Sequence, residues 1–396
     1  MKYELDPNQK KALHFHKQLS WSFNCMEMGE GKSLTALEYM KNRNIKDLLI
    51  FCPAYLKHNW ESEIKKFNFK FDKVTIQSYA SRKVPKYAQG VILDEFHYIK
   101  NPSAKRTNRI YDWVKKKNPR ALIGLSGTPM KTSALDFFPY FSILRLKHPS
   151  LCFPRNHYAF QEVYCRKVKN DFTPTGYSFE GVNEENKEKL KDIIKEYFYF
   201  TPSDLKPRLP ETNNRKYIGG TKGKVSDLMA IALKENKSKE FMTLKALNAE
   251  ENVKTTVRLI DDLLEQNIKP VVFSEHRKSA ELIAQKYKTK AIIGGVSDSV
   301  RVEILSDFGK DNSSVLIGTY GAMSAGLNIT STNHMIFNDY SFSPSDYDQA
   351  KKRIHRKGQT KPCFYHHVFS NDLDYSIFKR LIKKKEETDD MHQRKL

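Results

Sequence analysis

Residues 21–40, WSFNCMEMGEGKSLTALEYM, give the strongest indication of how this 396-residue chain folds. Apolar and polar side chains alternate over the first five positions, which is typical of a β-strand. A turn with two glycines follows, and from Leu34 onward the residues have the pattern of an amphipathic helix. A strand, a glycine-containing turn and a helix in this order are typical of an α/β fold with a phosphate-binding loop.

The turn begins at Met26 and reads MEMGEGKS. Glycines let backbone N–H groups turn toward phosphate oxygens at a helix N-terminus, which predicts that role for Gly29 and Gly31. Lys32 is expected to reach the β- and γ-phosphates, and Ser33 is expected to bind Mg²⁺. The general pattern GxxxxGK[ST] has glycine where this chain has Met26, and a GKS tripeptide alone is common. The loop therefore needs a second signal.

That signal is residues 90–97, GVILDEFH, an apolar run that ends in two adjacent carboxylates. Asp94 is expected to bind Mg²⁺, and Glu95 to polarise the attacking water. The alternative interpretation is a solvated strand end, where acidic residues are common. The two motifs together favour a nucleoside triphosphatase. His97 could be a packed core histidine, but we favour a contact with the segment 126–128.

Short apolar runs alternate with amphipathic helical segments in both halves of the chain, as in parallel sheets covered by helices. The predicted strands are residues 19–25, 47–52, 73–77, 90–93 and 121–125, then 270–273, 290–293, 315–317, 334–338 and 363–369. Between the two series, about 135–210, we predict a mainly helical insertion with helices 136–146, 157–165 and 186–200 and a polar loop 168–185. The predicted domains are 1–215 and 216–396, the second with a helical lead-in over about 216–264 and a solvated helical tail from Lys379.

The balance of charge points to a polyanionic partner. Sixty-eight Lys and Arg against 46 Asp and Glu leave a net charge of +22. Clustered cations release counterions from a phosphate backbone, so this charge favours nucleic acid over merely solvated lysine-rich faces. No apolar run is long enough to span a membrane, and the five cysteines lack zinc-binding spacing, so we expect reduced, mostly buried thiols. Without a signal core at the N-terminus, a cytoplasmic location is expected, or a nuclear one in a eukaryote.

Residues 349–359, QAKKRIHRKGQ, resemble the QAxxRxHRxGQ motif of the SWI/SNF-related ATPases, within helicase superfamily two. The resemblance runs from about Leu5 to Gln359, and the MEMGEGKS loop is close to that family's form, which tolerates a residue other than glycine at Met26. Residues 152–165 resemble the annealing-helicase branch of the family. The other matching segments are DPNQ (6–9), IFCP (50–53), NW (59–60), QSY (77–79), LSGTP (125–129), VVFS (271–274), GG (294–295), GT (318–319) and AGLNIT (325–330).

The resemblance implies two RecA-like lobes with parallel sheets flanked by helices, and a helical insertion at the end of the first lobe. It implies that Arg353 and Arg356 are arginine fingers that cross to the γ-phosphate, and that Lys32 and Glu95 complete the catalytic set. The implied ATP-binding residues are Gln9, which would read the adenine, with Met28, Gly29, Glu30, Gly31, Lys32, Ser33, Leu34 and Asp94, of which Ser33 and Asp94 would bind Mg²⁺. The implied nucleic-acid contacts are Pro53, Asn59, Trp60, Ser78, Tyr79, Thr128, Ser274, Gly295, Thr319 and Phe342.

Three departures from the family pattern limit this transfer. Lys352 stands where the family usually has Asp, and Phe342 begins a Phe-Ser-Pro triplet where Trp-Asn-Pro is usual. These two concern coupling between the lobes. Tyr199 and Phe200 replace an Arg-Arg pair, which removes cations from the insertion. None of the three removes a catalytic group.

The function that the resemblance implies is an ATP-dependent motor that moves on double-stranded DNA, for remodelling or annealing, with single-stranded DNA as a possible partner. Two alternatives stay open at this point. One is a strand-separating DNA or RNA helicase. The other is a non-hydrolysing nucleic-acid clamp, against which the intact Lys32, Asp94 and Glu95 argue. We expect a monomeric motor directed by protein partners, with no membrane and no zinc.

Overall fold

Two separate contact units, each built around a parallel β-sheet, make up the chain. The structure is a computed structural model that describes residues 3–82, 84–170, 173, 175–205, 209–218, 228, 231–232, 238–310, 313–323, 327, 329–369 and 371–391. The first unit contains residues 1–169, 177–206 and 386–396, and the second contains residues 170–176 and 207–385.

The sheet of the first unit has the strand order β3-β2-β4-β5-β1-β8, and all of its neighbouring strands are parallel. Its strands are β1 (Trp21–Asn24), β2 (Asp47–Cys52), β3 (Lys73–Ser78), β4 (Gly90–Asp94), β5 (Ala121–Leu125) and β8 (Phe198–Tyr199). Central strands are buried on both faces, which is why they read as continuous apolar runs. In β4, Val91 and Leu93 pack into one core cluster and Ile92 into the other.

Helices cover this sheet and form the insertion. They are α1 (Pro7–Lys17), α2 (Lys32–Asn42), α3 (Lys57–Lys66), α4 (Lys105–Lys117), α5 (Phe138–Lys147), α6 (His157–Tyr164) and α7 (Lys187–Tyr197). The helix α1 starts at a capping box, in which Asp6 and Gln9 each bond the other's backbone N–H. This fixed start holds Gln9 close to the loop that precedes α2.

The insertion is less helical than the sequence predicted. The predicted polar loop 168–185 contains most of an antiparallel hairpin, β6 (Arg166–Lys169) and β7 (Tyr177–Glu180). The predicted helix 186–200 ends at Tyr197, because Phe198 and Tyr199 continue as β8 and pair with Phe23 and Asn24 of β1. The Phe198 and Phe23 rings stack at 4.6 Å, so burial of an aromatic pair outweighs the continuation of the helix.

The second unit has the strand order β11-β10-β12-β13-β9, again with parallel pairs. Its strands are β9 (Thr212–Ile218), β10 (Val271–Ser274), β11 (Leu316–Thr319), β12 (His334–Phe337) and β13 (Cys363–Phe369). Its helices are α8 (Ser238–Glu265), α9 (Arg277–Lys286), α10 (Asp298–Gly309), α11 (Tyr320–Met323), α12 (Pro344–Lys351) and α13 (Asp372–Met391), the last of which reaches the first unit. The two parallel sheets with flanking helices confirm the predicted fold class. Part of the predicted lead-in helix lies outside the described residues.

In the second unit, one strand prediction is wrong and one strand was missed. Residues 290–293 form only an isolated bridge, between Ile292 and Gly318, instead of the expected strand. The strand β9 was not predicted, and its polar, mostly exposed residues explain why an apolar pattern could not reveal it. Since β9 pairs with β13 along its whole length, residues 212–215 belong with the second sheet, although the predicted boundary placed them in the first domain.

The C-terminal residues also differ from the expected solvated tail of the second domain. Residues 386–396 group with the first unit. There, Arg166 makes two hydrogen bonds to the carboxylate of Glu387, and Lys187 pairs with Asp390 at 2.6 Å. Met391 is fully buried in the main core cluster of that unit. The end of α13 is therefore part of the core of the first unit.

Two further observations concern the cysteines and the helices. Four of the five cysteines are buried and Cys152 is exposed, as expected for mostly buried thiols. In the described ranges, no helix combines the length and the apolar character that crossing a bilayer requires.

Replacing Met391 with Ala should destabilise the first unit by about 2–5 kcal/mol, because it leaves a cavity in a closed core. The matched control is Met242→Ala, since Met242 is 47% exposed, and its cost should stay within about 0.5 kcal/mol. Urea unfolding followed by intrinsic fluorescence measures both. Equal, small effects of the two substitutions would show that the C-terminal turn is not part of the core.

Candidate active site

Backbone conformation and close packing explain why the loop between β1 and α2 needs its two glycines. Gly29 and Gly31 have φ angles of 82° and 80°, a region that other residues rarely adopt. A Cβ atom on Gly31 would also lie 2.1 Å from Nε2 of Gln9. Met26 is absent from the positive-φ residues and is buried against Ala12 and Tyr199, so this position does not require glycine. The departure from the general loop pattern is thereby explained.

Lys32 is the first residue of α2, and its side chain extends back over the loop. Its Nζ atom donates to the carbonyl of Met26 at 3.0 Å and to the carbonyl of Glu27 at 2.9 Å. The helix begins here with its N-terminal N–H groups at the loop, and this end carries a partial positive charge that attracts anions. Ser33 is half-buried, while Leu34 is buried in a core cluster, so any contribution of Leu34 to a ligand must come from its backbone.

Gln9 lies beside the loop. Its Nε2 donates to the carbonyl of Glu30 at 3.2 Å, and its Oε1 accepts from the backbone N–H of Asp6. Both ends of the amide are therefore used within the chain, and reading a base would require exchanging at least one of these bonds. The adenine-reading role of Gln9 stays a prediction.

The acidic pair sits where β4 ends, and the two carboxyls differ in their surroundings. Asp94 accepts a hydrogen bond from Nε1 of Trp60 at 2.8 Å, and burial together with the neighbouring Glu95 carboxylate raises the pKa of Asp94. Burial would also raise the pKa of Glu95, but its hydrogen bond to His97 and nearby positive charge lower it overall. Glu95 adopts a left-handed φ of 51°, a strained conformation that is often found at functional sites.

A chain of polar contacts connects this acid to the loop after β5. Nδ1 of His97 lies 3.1 Å from Oε2 of Glu95 and 3.1 Å from Oγ of Ser126. Oγ of Ser126 lies 3.3 Å from the same Glu95 oxygen and accepts from the backbone N–H of Thr128. Burial and the charge of Lys131 lower the pKa of His97. The expected contact of His97 with the segment 126–128 is present.

In the second unit, the two arginines of the QAKKRIHRKGQ segment converge on one carbonyl. Arg353 and Arg356 each donate from Nη1 to the backbone oxygen of Leu327, at 3.1 and 3.0 Å. Arg353 is 1% exposed, whereas Arg356 is half-buried, with its pKa lowered by burial. Gln359 donates to the carbonyl of Thr332, which fixes the end of the segment. Residues 325, 326 and 328 of the predicted AGLNIT motif lie outside the described residues.

The comparisons with known proteins agree with these motifs. The model of the helicase conserved C-terminal domain matches residues 252–358. A SWI/SNF-related matrix-associated actin-dependent regulator of chromatin, subfamily A-like protein 1, from Drosophila melanogaster is 25% identical in an alignment 412 positions long, which covers 92% of this chain and 52% of that protein. The human DNA annealing helicase and endonuclease ZRANB3 is 24% identical in an alignment 455 positions long, which covers 98% of this chain and 40% of that protein.

The chain is similar to these SWI/SNF-related and annealing-helicase proteins over most of its own length. It spans about half or less of the length of these curated relatives. The solved Sulfolobus solfataricus SWI2/SNF2 ATPase core in complex with dsDNA aligns with 99% of this chain and 93% of that chain, at 21% identity and a TM-score of 0.44.

The structure corrects two of the predicted nucleic-acid contacts in the first unit. Trp60 and Tyr79 are each 2% exposed, and both donate to Asp94, one to its carboxylate and one to its carbonyl. Neither ring is available for stacking on a base. The other first-unit candidates range from buried to exposed: Pro53 and Thr128 are buried, Ser78 is half-buried and Asn59 is exposed.

In the second unit, Ser274 is also corrected, since it is fully buried and donates to Asp339 at 2.6 Å. Gly295 is exposed with a φ of 92°, and Thr319 is half-buried. Phe342 is 48% exposed, and Nζ of Lys245 lies 4.0 Å from the centre of its ring. These three residues remain predicted nucleic-acid contacts. The sequence did not reveal that Lys245 lies against the Phe342 ring.

Replacing Trp60 with Phe should lower the free energy of unfolding by about 1–3 kcal/mol, because the buried Asp94 carboxylate loses a donor. Nucleic-acid affinity of the folded variant should stay within about twofold of wild type, which corresponds to a change well below 1 kcal/mol. The paired variant is Phe342→Ala, which should weaken nucleic-acid binding and cost about 0.5 kcal/mol of stability or less. Urea unfolding and fluorescence anisotropy test both, and the opposite pattern would return Trp60 to the nucleic-acid surface.

Proposed function

We propose that this chain hydrolyses ATP and couples the hydrolysis to movement along double-stranded DNA. The observation that carries the proposal is the contact chain from Glu95 through His97 to Ser126. It joins the acid that would activate water to the loop after β5, and β5 lies between β4 and β1 in the sheet. The carboxyl ends of parallel strands meet at one edge of the sheet. The loop 26–33 (the ATP loop), the acidic pair Asp94 and Glu95, and Ser126 therefore share that edge.

The residues at this edge fit ATP and Mg²⁺. The α2 N-terminus, the two positive-φ glycines and Lys32 form a site for phosphate oxygens. The Asp94 carboxylate and the Ser33 hydroxyl are the hard oxygen ligands that Mg²⁺ prefers. When bound, Mg²⁺ would neutralise charge on the transferring phosphoryl group, and ATP would supply that group. Positive charge beside Asp94 would favour its ionised form despite burial.

Glu95 is the residue proposed to orient and polarise the attacking water. Its lowered pKa keeps it ionised at neutral pH, as an acceptor for a water proton. His97 and Ser126 hold the carboxylate from the side of the β5 loop. A shift of that loop on nucleic-acid binding would therefore move the acid itself. Arg353 and Arg356 are proposed to complete catalysis by stabilising negative charge on the γ-phosphate.

DNA is the proposed track because of charge and relatedness. The net charge of +22 suits a phosphate backbone, and one relative is named as a DNA annealing helicase. Contacts to sugar and phosphate predict little sequence preference. We further propose that the motor acts as a monomer, and that protein partners direct it to its target in the compartment that holds its DNA.

The nucleic acid is tested by ATPase assays with duplex DNA, single-stranded DNA and RNA at matched nucleotide concentration. Duplex DNA should stimulate best, and the protein should displace a third strand from a triplex without separating the duplex beneath it. Strongest stimulation by RNA, or efficient strand separation, would instead identify a strand-separating helicase. Absence of ATP hydrolysis under all conditions would identify a nucleic-acid clamp.

Replacing Glu95 with Gln should lower kcat by about 100-fold or more, because the amide cannot accept the proton of the attacking water. ATP and DNA affinities should stay within about threefold, since binding groups are retained. The matched control is Glu188→Gln on α7, whose carboxylate is 73% exposed. Steady-state ATPase and filter binding measure these quantities. Unchanged turnover in Glu95→Gln would exclude this acid from the mechanism.

A further inference from the structure

We propose that Glu30 is part of a latch that holds the ATP loop closed on its own backbone, with Asn8, Tyr199 and Thr201 as its other members. Loosening this latch should increase the affinity for ATP. The proposal rests on the ATPase function given above. It assigns a positioning role to residues that have no part in the chemical step.

The Glu30 carboxylate is the centre of the latch. Its Oε2 atom accepts from the backbone N–H of Glu27 at 2.7 Å, from Nδ2 of Asn8 at 3.3 Å and from the Thr201 hydroxyl. Glu30 is 9% exposed, and its Oε1 atom is buried with no hydrogen-bond partner among the described residues. A buried carboxylate is costly unless donors surround it, so the three donors on Oε2 decide where it lies.

Two backbone N–H groups of the loop and Nζ of Lys32 also form hydrogen bonds within the loop itself. The backbone N–H of Glu30 bonds the carbonyl of Glu27 at 3.4 Å, and Nζ of Lys32 bonds the carbonyls of Met26 and Glu27. Lys32 and the loop N–H groups are the groups that phosphate oxygens would use. Phosphate binding must therefore break internal bonds and bring more negative charge toward the Glu30 carboxylate. Both effects oppose ATP as long as the latch is formed.

The remaining members come from distant parts of the first unit. Asn8 lies in α1, and Thr201 lies two residues after the end of β8, the strand that ends the insertion. The Tyr199 hydroxyl donates to Oδ1 of Asn8 at 2.8 Å, and the carbonyl of Tyr199 accepts from the N–H of Cys25 at 2.7 Å. The closed form of the loop is thus bonded to the segment through which the chain leaves the insertion.

This arrangement links ATP binding to the release of the segment after β8. If ATP opens the latch, Thr201 and Asn8 lose an acceptor, and the segment after β8 is released. By linkage, any force that displaces this segment makes the loop easier to open, and both directions carry the same free energy. The latch thereby gives the insertion a direct influence on nucleotide affinity.

The test is ATP binding by the full chain, measured with a fluorescent ATP analogue and by competition with ATP. Thr201→Val removes the hydroxyl at nearly constant volume and should lower the Kd for ATP by about fivefold to tenfold, as expected for a lost hydrogen bond to a charged group. KM should fall with it, without a rise in kcat. Thr201→Ser keeps the hydroxyl and should restore the wild-type Kd. Thr243→Val is the matched control, since it removes a hydroxyl bonded to a carbonyl in α8.

Glu30→Gln is the second variant, in case Thr201→Val does not fold. The amide keeps an acceptor oxygen for the three donors but removes the negative charge, so ATP should again bind more tightly. A Kd that is unchanged or higher in the folded variants, with wild type binding ATP normally, overturns the latch and leaves the proposed ATPase intact. Failure of wild type to bind ATP overturns both.

Discussion

The parallel pairing of β1 with β5 is the constraint on which the site depends. Asn24 is opposite Leu125 at the end of this ladder, and the N–H of Ser126 bonds the carbonyl of Asn24 one step further. The ATP loop and the Ser126 loop must therefore leave the sheet side by side. On its other edge β5 pairs with β4, where Asp94 is opposite Leu125. One register brings three separate motifs to the same edge, and a slip in it would separate them.

Asp94 and Glu95, the acidic pair at that edge, have different hydrogen-bond partners. Asp94 is surrounded by packing residues, since Trp60 and Tyr79 both point their donors at it from the core. Glu95 is held by His97 and Ser126, which lie in the segments that follow β4 and β5. Burial makes a charged carboxylate costly, and the donors offset that cost differently for the two acids. Under the proposed function, Asp94 would bind the cation, and Glu95 would respond to the loop after β5.

The sequence was sufficient for the features that are local in the chain. The ATP loop, the acidic pair and most strands could be predicted, since spacing and apolar pattern are properties of neighbouring residues. The failures concern tertiary contacts. The sequence does not show that Trp60 and Tyr79 are buried. It also does not show that the Ser274 hydroxyl donates to Asp339. The strand β9 is polar because only its edge pairing with β13 makes it a strand. The reach of Arg353 and Arg356 to the phosphates stays a prediction.

Met26, Glu30 and Tyr199 tie the ATP loop to the rest of the first unit. A glycine in place of Met26 would remove a side chain that packs against Ala12 and Tyr199. Glu30 binds the loop to α1 and to Thr201 through its carboxylate. Tyr199, which replaces a cation of the family pattern, contributes both its ring to the Met26 cluster and its hydroxyl to Asn8. These three residues are therefore connected, because Tyr199 packs against Met26 and bonds Asn8, which in turn donates to Glu30.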